Sequence, residues 1–348
     1  MPDANPGPAE GGDAFVAFLS AHAHDLDETL LSAYVGHGDP ELERYLYGPL
    51  AAFTSNAGKR VRPLVCLLAC QAVGGDPARA RTTAAAIERF QSAALIHDDI
   101  ADEGQLRRGK PCMHLTEGVG IATNCGDLAL SEVFGTVAAD AALDASTRLA
   151  VLDELFSMTR RTIEGQALDL GWARDERWDV TVDDYLRMAT LKTAHYSAAT
   201  PLAVGALIGG ASQEQVEALR SFGLDAGLAF QLVDDTLNLF GDEAEQGKDY
   251  RSDITEGKRT LLVTYSLAHV DATKRDELVR LLSSHVTDAC GLDACARIMQ
   301  GCGAEAFARH MARELSQRAV SHLDGIDLTD DARHTLASMA DFFVARRG

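Results

Sequence analysis

Basic charge is scarce in this chain of 348 residues: 32 Lys and Arg stand against 52 Asp and Glu, a formal net charge of −20. A nucleic-acid backbone and an anionic membrane surface are both bound through clustered Lys and Arg, so the balance argues against either partner. Long hydrophobic runs are lacking too. Those near residues 63–70 and 199–211 are interrupted by Pro or Gly and fall short of the roughly 20 apolar residues that cross a bilayer. The opening MPDANPGPAEGGDAF has neither the basic start nor the apolar stretch of a secretory signal. Its Pro, Gly and acid lead us to expect a disordered tail over residues 1–12. The seven Cys include no CxxC pair, and Cys290, Cys295 and Cys302 lack zinc-ligand spacing. Cys66 and Cys70 lie in an apolar run and read as buried thiols, which fits a reducing cytoplasm. Dinucleotide-binding and Walker glycine motifs are absent. Strand signals are thin, with no Asn-Gly hairpin turn and no clear alternation of β-branched residues.

What is present is helical. Ala and Leu dominate, and apolar residues recur every three or four positions, as in Ile87, Phe90, Ala94 and Leu95, and in Val216, Leu219, Phe222 and Ala226. Gly, Pro and charge mark loops at 74–77, 103–111, 171–179 and 241–258. No linker or internal repeat divides the chain. We expect an all-α protein of ten or more helices, with residues 13–348 in one domain.

Two acidic motifs stand at the ends of apolar stretches. Residues 97–102 read HDDIAD and residues 234–238 read DDTLN. On a helix, Asp98 and Asp102 stack one turn apart, while Asp99 lies about 100° around. Asp234 and Asn238 repeat that spacing, and Asp242 continues it. Carboxylates next to a buried face are costly unless paired or metal-bound. Oxygen-rich pairs suit magnesium, which keeps substrate phosphates in its shell. The few basic residues are grouped as Lys59, Arg60 and Arg62; Arg107 and Arg108; Lys192; and Lys248, Lys258 and Arg259. Two of those groups follow an acidic motif by one loop. The alternation suggests metal-binding carboxylates interleaved with phosphate-binding cations, a receptor for a polyphosphate-bearing substrate.

The chain resembles the trans-isoprenyl diphosphate synthases, the polyprenyl synthetase family. Five motifs carry the resemblance in order: GKRVRP at 58–63, DDIAD with RRG at 98–109, EGQALDL at 164–170, KT at 192–193, and FQLVDD with a following GK…D…GK. It implies an isoprenoid synthase-type single bundle of antiparallel helices around a deep central cavity, as a homodimer. Asp98, Asp99 and Asp102 are then expected to face Asp234 and Asp235 across the cavity, with about three magnesium ions between them and Asn238 as a neutral ligand where a third Asp is usual. Lys59, Arg62 and Arg108, assisted by Gln91, resemble residues that hold isopentenyl diphosphate. Arg107, Lys192 and Lys258 resemble ligands of the allylic diphosphate, and Lys248 a metal-side phosphate ligand. Thr193 and Gln231 resemble the polar pair beside the allylic carbon, while Gln166 and Asp169 take a structural or supporting role. His97 and His195 read as hydrogen-bonded neighbours of the site.

The implied reaction is magnesium-dependent head-to-tail condensation of isopentenyl diphosphate with an allylic diphosphate. Members with short products carry a bulky residue four or five positions before the first Asp. Those positions are Ala94 and Ala93 here, and the next bulky residue on that face is Phe90. One helical turn, about 5.4 Å, matches roughly one isoprene unit. A twenty-carbon product is therefore expected, with fifteen or at least twenty-five carbons as alternatives, and Phe134 as a second stopper. Two rivals stand beside this reading. A terpene cyclase on the same fold would explain the spacing of Asp234, Asn238 and Asp242, but it needs no second diphosphate site, and only 6% of residues are aromatic. A non-catalytic subunit of a heteromeric synthase would lose its acidic motifs.

Overall fold

A computed structural model describes residues 12–31, 34, 37–56, 58–241 and 251–346, without the side chains of residues 24, 25, 27 and 28. Most of the expected tail, Asp242 and Lys248 lie outside the described residues. The main helices are α1 (Asp13–Leu31), α2 (Gly48–Ser55), α3 (Val61–Ala72), α4 (Arg81–Ala101), α5 (Val119–Ala138), α6 (Ala145–Arg174), α7 (Val182–Ala189), α8 (Thr200–Gly209), α9 (Gln213–Phe240), α10 (Leu261–His269), α11 (Ala272–Ser283), α12 (Ala289–Gly301), α13 (Ala304–Ser321) and α14 (Asp330–Ala345). The all-α expectation holds. No helix is long and apolar enough to cross a membrane among the described residues.

Local chemistry sets the starts. Asp144 accepts from the backbone N–H of Ser146 and Thr147 to cap α6, and Thr181 with Asp184, and Ser212 with Gln215, form capping boxes on α7 and α9. The two apolar faces read from the sequence turn inward: Ile87 and Phe90, and all of Val216, Leu219, Phe222 and Ala226, are buried. Helix α9 belongs to two core clusters. Its first half packs with α3, α4 and α8, and its second half, from Leu228 to Leu239, packs with α7, α10 and α12. The second acidic motif, beginning at Asp234, lies within that second half. Helices α3 and α8 touch backbone to backbone, since a Cβ at Gly205 would lie 2.0 Å from the Cys66 carbonyl oxygen.

Three features differ from the sequence reading. Residues 171–174 continue α6 instead of opening a loop, because Leu168 and Trp172, one turn apart, pack on the second core cluster. The loop at 103–111 contains a two-stranded antiparallel ladder, β1 (Leu106–Arg107) and β2 (Lys110–Pro111), pairing Leu106 with Pro111 and Arg107 with Lys110. Its turn residues, Arg108 and Gly109, both have positive φ, at 53° and 73°, as the tight hairpin turns that match strand twist require. Between α7 and α8 the chain runs as a π-helix over Thr190–Ala199. Such wide turns are rare and concentrate at functional sites. This one carries the KT motif.

Candidate active site

Helix α4 delivers Asp98, α9 delivers Gln231, Asp234 and Asp235, and the π-helical segment delivers Lys192, Thr193 and Tyr196. All seven line one cavity of about 160 Å³, joined by Asp169, Asp253 and Lys258. Glycine makes the π segment's seat. A Cβ at Gly165 would lie 2.3 Å from the Lys192 backbone nitrogen, so α6 and the KT motif can approach only without a side chain there.

Around the first motif, cations meet each carboxylate. Lys192 Nζ donates to Asp169 at 2.6 Å and stands 3.6 Å from Asp98. Arg107 Nε donates to Asp99 at 2.7 Å, and Lys258 Nζ donates to Asp102 at 2.7 Å while also pairing with Glu256. Gln166 donates to Asp98 at 3.1 Å. Burial alone would push the Asp98 carboxyl up, but Lys192, Lys258 and Arg107 outweigh it and hold it well below the ordinary carboxylate range. The same charges act in reverse on Lys192, where Asp169 and Asp98 overcome burial and hold the ammonium firmly protonated. Gln166 and Asp169 thus position Asp98 and Lys192.

The second motif is held by different chemistry. Tyr185 Oη donates to Asp235 at 2.5 Å and Gln231 Nε2 at 2.6 Å. Burial, with Asp253 nearby, pushes Asp235 up to about 7. Asp234 instead accepts from Arg346 at 2.6 Å.

Two placements correct the expectations. Asp99 does not face the cavity; its rotation of about 100° from Asp98 turns it onto Arg107, with its side chain 3% exposed. Asn238 offers no oxygen toward Asp234. It is buried, its Oδ1 accepts from the Asp253 backbone N–H at 3.2 Å, and its Nδ2 donates to Ser252 at 3.1 Å. The amide therefore anchors the short helix Ser252–Thr255, a task its donor and acceptor ends suit and a second carboxylate would not.

A second basic cluster lies beside the cavity. Arg62 donates to Ser197 at 3.0 Å and to Tyr196 Oη at 3.3 Å, with its guanidinium 4.6 Å from the Tyr196 ring centroid. Arg108 donates to the Asn56 carbonyl at 2.6 Å and covers Gly58. Burial, then Arg60, Arg107 and Arg62, push the Arg108 pKa down against the pull of Glu88, the signature of guanidiniums crowded together. Arg60 is spent structurally on Glu88 and the Thr54 carbonyl, both at 2.7 Å. It and Arg108 hold non-glycine residues at positive φ, a strain that concentrates at binding sites. Gln91 Oε1 and Arg62 Nε are buried without hydrogen-bond partners. Lys59 stands 5.7 Å from the Phe342 ring centroid.

The floor residues do not line the cavity. Tyr196 does, and Phe90 stands behind it with ring centroids 5.6 Å apart. Ala94 and Phe134 pack on the same core cluster as Phe90, whereas Ala93 packs the other way, with Met113, Ala122 and Cys125. His97 meets Asp127 at 3.3 Å, and His195 meets Arg161 at 3.4 Å. Sequence reasoning missed Tyr185, Tyr196, Asp253 and Arg346. Tyr196, one turn past Thr193, and Asp253, inside the GK…D…GK run, were within reach of the helical repeat and the motif; Tyr185 and Arg346 carried no local signal.

The donors here fit a hard divalent cation. Asp98, Asp102, Asp234 and Asp235 offer only oxygen, and the buried Asp99 Oδ2 and Gln166 Oε1 have no hydrogen-bond partner. Among the described residues no three acidic, His or Cys side chains converge on one point. The carboxylates are spread over separate cations and neutral donors.

A family model described as polyprenyl synthetase matches residues 43–299. A short chain isoprenyl diphosphate synthase of Methanothermobacter thermautotrophicus is 38% identical, over 83% of this chain and 86% of its own. A geranylgeranyl diphosphate synthase of Saccharolobus solfataricus is 34% identical, over 83% and 87%. Among solved structures, a geranylgeranyl pyrophosphate synthetase from Pyrococcus horikoshii superposes with a TM-score of 0.87 at 32% identity, covering 96% of this chain and 99% of that one. A geranylgeranyl pyrophosphate synthase from Corynebacterium glutamicum, complexed with isoprenyl diphosphate and magnesium, superposes with a TM-score of 0.83 at 29% identity, covering 95% and 96%. With its acidic motifs, cation clusters and helical bundle, the chain belongs to the polyprenyl synthetase family, the trans-prenyl diphosphate synthases, and is a prenyltransferase.

Proposed function

We propose that the chain joins isopentenyl diphosphate head-to-tail to an allylic diphosphate, releasing diphosphate and forming geranylgeranyl diphosphate. One observation carries this reading: two cation-lined places adjoin, one among Asp98, Lys192 and Lys258 and the other around Arg62 and Arg108, and Tyr196 lies between them. A cyclase needs one such place; a condensation of two diphosphates needs both.

The roles follow from the contacts. Magnesium, about three ions held by Asp98, Asp102, Asp234 and Asp235, supplies charge neutralisation to the departing diphosphate when bound. Arg107, Lys192, Lys258 and, outside the described residues, Lys248 hold the allylic diphosphate and stabilise the charge that grows as its carbon–oxygen bond breaks. Lys59, Arg62, Arg108 and Gln91 hold isopentenyl diphosphate so that its double bond reaches the allylic carbon. The amide of Gln231 donates to Asp235, which leaves its carbonyl oxygen, with the Thr193 hydroxyl, to favour the allylic cation by dipole. The adduct loses a proton to the released diphosphate, since the carboxylates are committed elsewhere. Met188, Ala189 and the rings of Tyr185 and Tyr196 are the apolar part of the lining and keep water from quenching the cation.

Phe90, beneath Tyr196, sets the chain length in this reading. The protein works as a homodimer. Leu149, Phe156, Ile163 and Leu170 are 69, 60, 58 and 39% exposed and recur every seven residues along α6, a self-complementary apolar seam. Light scattering at twice the chain mass tests it. The seven thiols are all free, which supports a reducing, cytoplasmic setting.

The test is incubation with magnesium, isopentenyl diphosphate and the five-, ten- and fifteen-carbon primers, with products sized by chromatography. The expected product has twenty carbons, and Phe90→Ala lengthens it by one unit or more. Hydrocarbon from the allylic substrate alone, or activity only with a partner chain, would overturn the assignment; an unchanged product in Phe90→Ala would overturn the floor.

A further inference from the structure

Arg259 stands next to Lys258 in the turn before α10, and no step of the condensation uses it. It is 3% exposed and belongs to the wall of the cavity. Its guanidinium carbon lies 3.7 Å from the Trp178 ring centroid. Nε donates to the Arg177 carbonyl at 3.0 Å, and Nη1 donates to the Gly257 carbonyl. Nη2 is buried without a hydrogen-bond partner. Burial pushes the Arg259 pKa down, and Asp169, then Glu176, pull against it. A buried guanidinium with an unmade hydrogen bond costs free energy, and an apolar side chain would fill the same space without that cost. What an apolar side chain lacks is the planar fork.

The fork joins two distant segments. Arg177 and Trp178 lie in the link between α6 and α7, and the Arg177 carbonyl is 82 residues from Arg259 in sequence. Trp178 is itself held, because its carbonyl accepts from Arg275 of α11 at 3.2 Å and its ring packs on the second core cluster. On the other side, Gly257 and Arg259 flank Lys258, whose backbone N–H donates to the Asp253 carbonyl at 2.9 Å. The chain is thus tied down on both sides of Lys258. Asp169, the carboxylate that pulls hardest on Arg259, also accepts from Lys192 at 2.6 Å. One guanidinium therefore stands behind both lysines, Lys258 through the chain and Lys192 through Asp169.

We propose that Arg259, stacked on Trp178, is a positioning residue for the allylic diphosphate: it fixes the backbone that carries Lys258 and, through Asp169, the direction of Lys192. The inference deepens the reading under Proposed function and rests on its assignment of those two lysines. It adds a pair outside the metal-binding carboxylates, made of one residue after α6 and one before α10. The guanidinium is needed as such, since an ammonium on a flexible stem cannot both lie flat on the indole and reach two carbonyls on separate segments.

The experiment uses the full chain and the variants Arg259→Ala, Arg259→Lys, Trp178→Leu and Trp178→Phe, each checked for folding by thermal melting. KM is measured at saturating magnesium for the ten-carbon allylic primer and, separately, for isopentenyl diphosphate. Arg259→Ala is expected to raise the allylic KM about five- to twentyfold and to leave the KM for isopentenyl diphosphate within about twofold, because Lys59, Arg62 and Arg108 lie elsewhere. Arg259→Lys should behave like Arg259→Ala. Trp178→Leu should raise the allylic KM about three- to tenfold, while Trp178→Phe, which keeps an aromatic face, should stay within about twofold of the natural protein. A residue that merely supported the fold would move both KM values together and would be replaced by lysine without a selective loss. An allylic KM unchanged in Arg259→Ala, an equal rise in both KM values, or full rescue by Arg259→Lys would overturn the proposal. Where Arg259→Ala melts too low to assay, Trp178→Leu decides by the same split, and an unchanged allylic KM there overturns it. Absence of condensation by the natural protein would instead sink the functional reading itself.

Discussion

Asp98 and Asp235 line the same cavity and shift in opposite directions. Asp98 is flanked by Lys192, Lys258 and Arg107 and stays ionised. Asp235 is held by the neutral donors Tyr185 and Gln231, and burial keeps its proton up to about 7. At Asp98 three positive charges together outweigh desolvation; at Asp99 and Asp102, with Arg107 and Lys258 as partners, burial still raises the carboxyl, and at Asp235 hydroxyl and amide hydrogen bonds do not offset it either. Asp98 is thus the carboxylate of the first motif that is held firmly ionised. The second carries one carboxylate paired with Arg346, one that keeps a proton, and one amide turned away. A metal at the first motif must displace cations; at the second it must also displace a proton.

The largest expected effect tests this contrast directly. Asp98→Asn should lower kcat/KM by about 10³-fold or more, since it removes a metal ligand and one of the carboxylates that face Lys192. Asp235→Asn should cost less, about ten- to a hundredfold, because the site already treats that side chain as nearly neutral. Steady-state kinetics at saturating magnesium decides; equal losses, or the reverse order, would break the comparison.

Next in size is an effect on stability without metal. Asp235 is ionised in the unfolded chain above about 4 but keeps its proton in the fold until about 7. Between those values the folded state binds more protons, so this group lowers stability as pH rises. Asp98 has the opposite sign: its depressed pKa adds stability that is present above about 4 and lost in acid. With chelator present, Asp235→Asn should match the natural protein near pH 4 and exceed it by about 2 kcal/mol or more at pH 7.5. Urea melts at the two pH values measure the gap, and a gap independent of pH would mean that Asp235 is ionised in the fold.

Much of this site was legible in the sequence because its motifs are local. The spacing of Asp98 and Asp102, the grouping of the basic residues and the apolar periods of α4 and α9 all follow from residues within one or two turns of each other. The misreadings share a cause as well. The hairpin at 106–111 escaped notice because Arg108, not Asn, adopts the positive φ of its turn. The π-helical turn at Thr190–Ala199 keeps the composition of an ordinary helix and changes only its pitch. Tyr185 lies 50 residues from Asp235, and Arg346 lies 112 from Asp234, so nothing short of the packed fold brings them together. Asn238 shows the same limit in reverse: its spacing predicts a metal ligand, but its partners come from the chain beyond α9.

The smallest effect concerns that residue. If Asn238 were a weakened metal ligand, Asn238→Asp would restore a charge and tighten metal binding. The structure points elsewhere. Asn238 is 2% exposed, donates to Ser252 and accepts from the Asp253 backbone, and the Asp253 carboxylate already raises Asp235. An Asp there would lose the amide donor and add a buried carboxylate beside those of Asp235 and Asp253. Asn238→Asp should therefore lower stability by about 1–3 kcal/mol and change manganese affinity less than twofold, as read by thermal melting and paramagnetic resonance. A variant that binds the ion severalfold more tightly at unchanged stability would return Asn238 to the metal site, and the two motifs would then differ in charge but not in design.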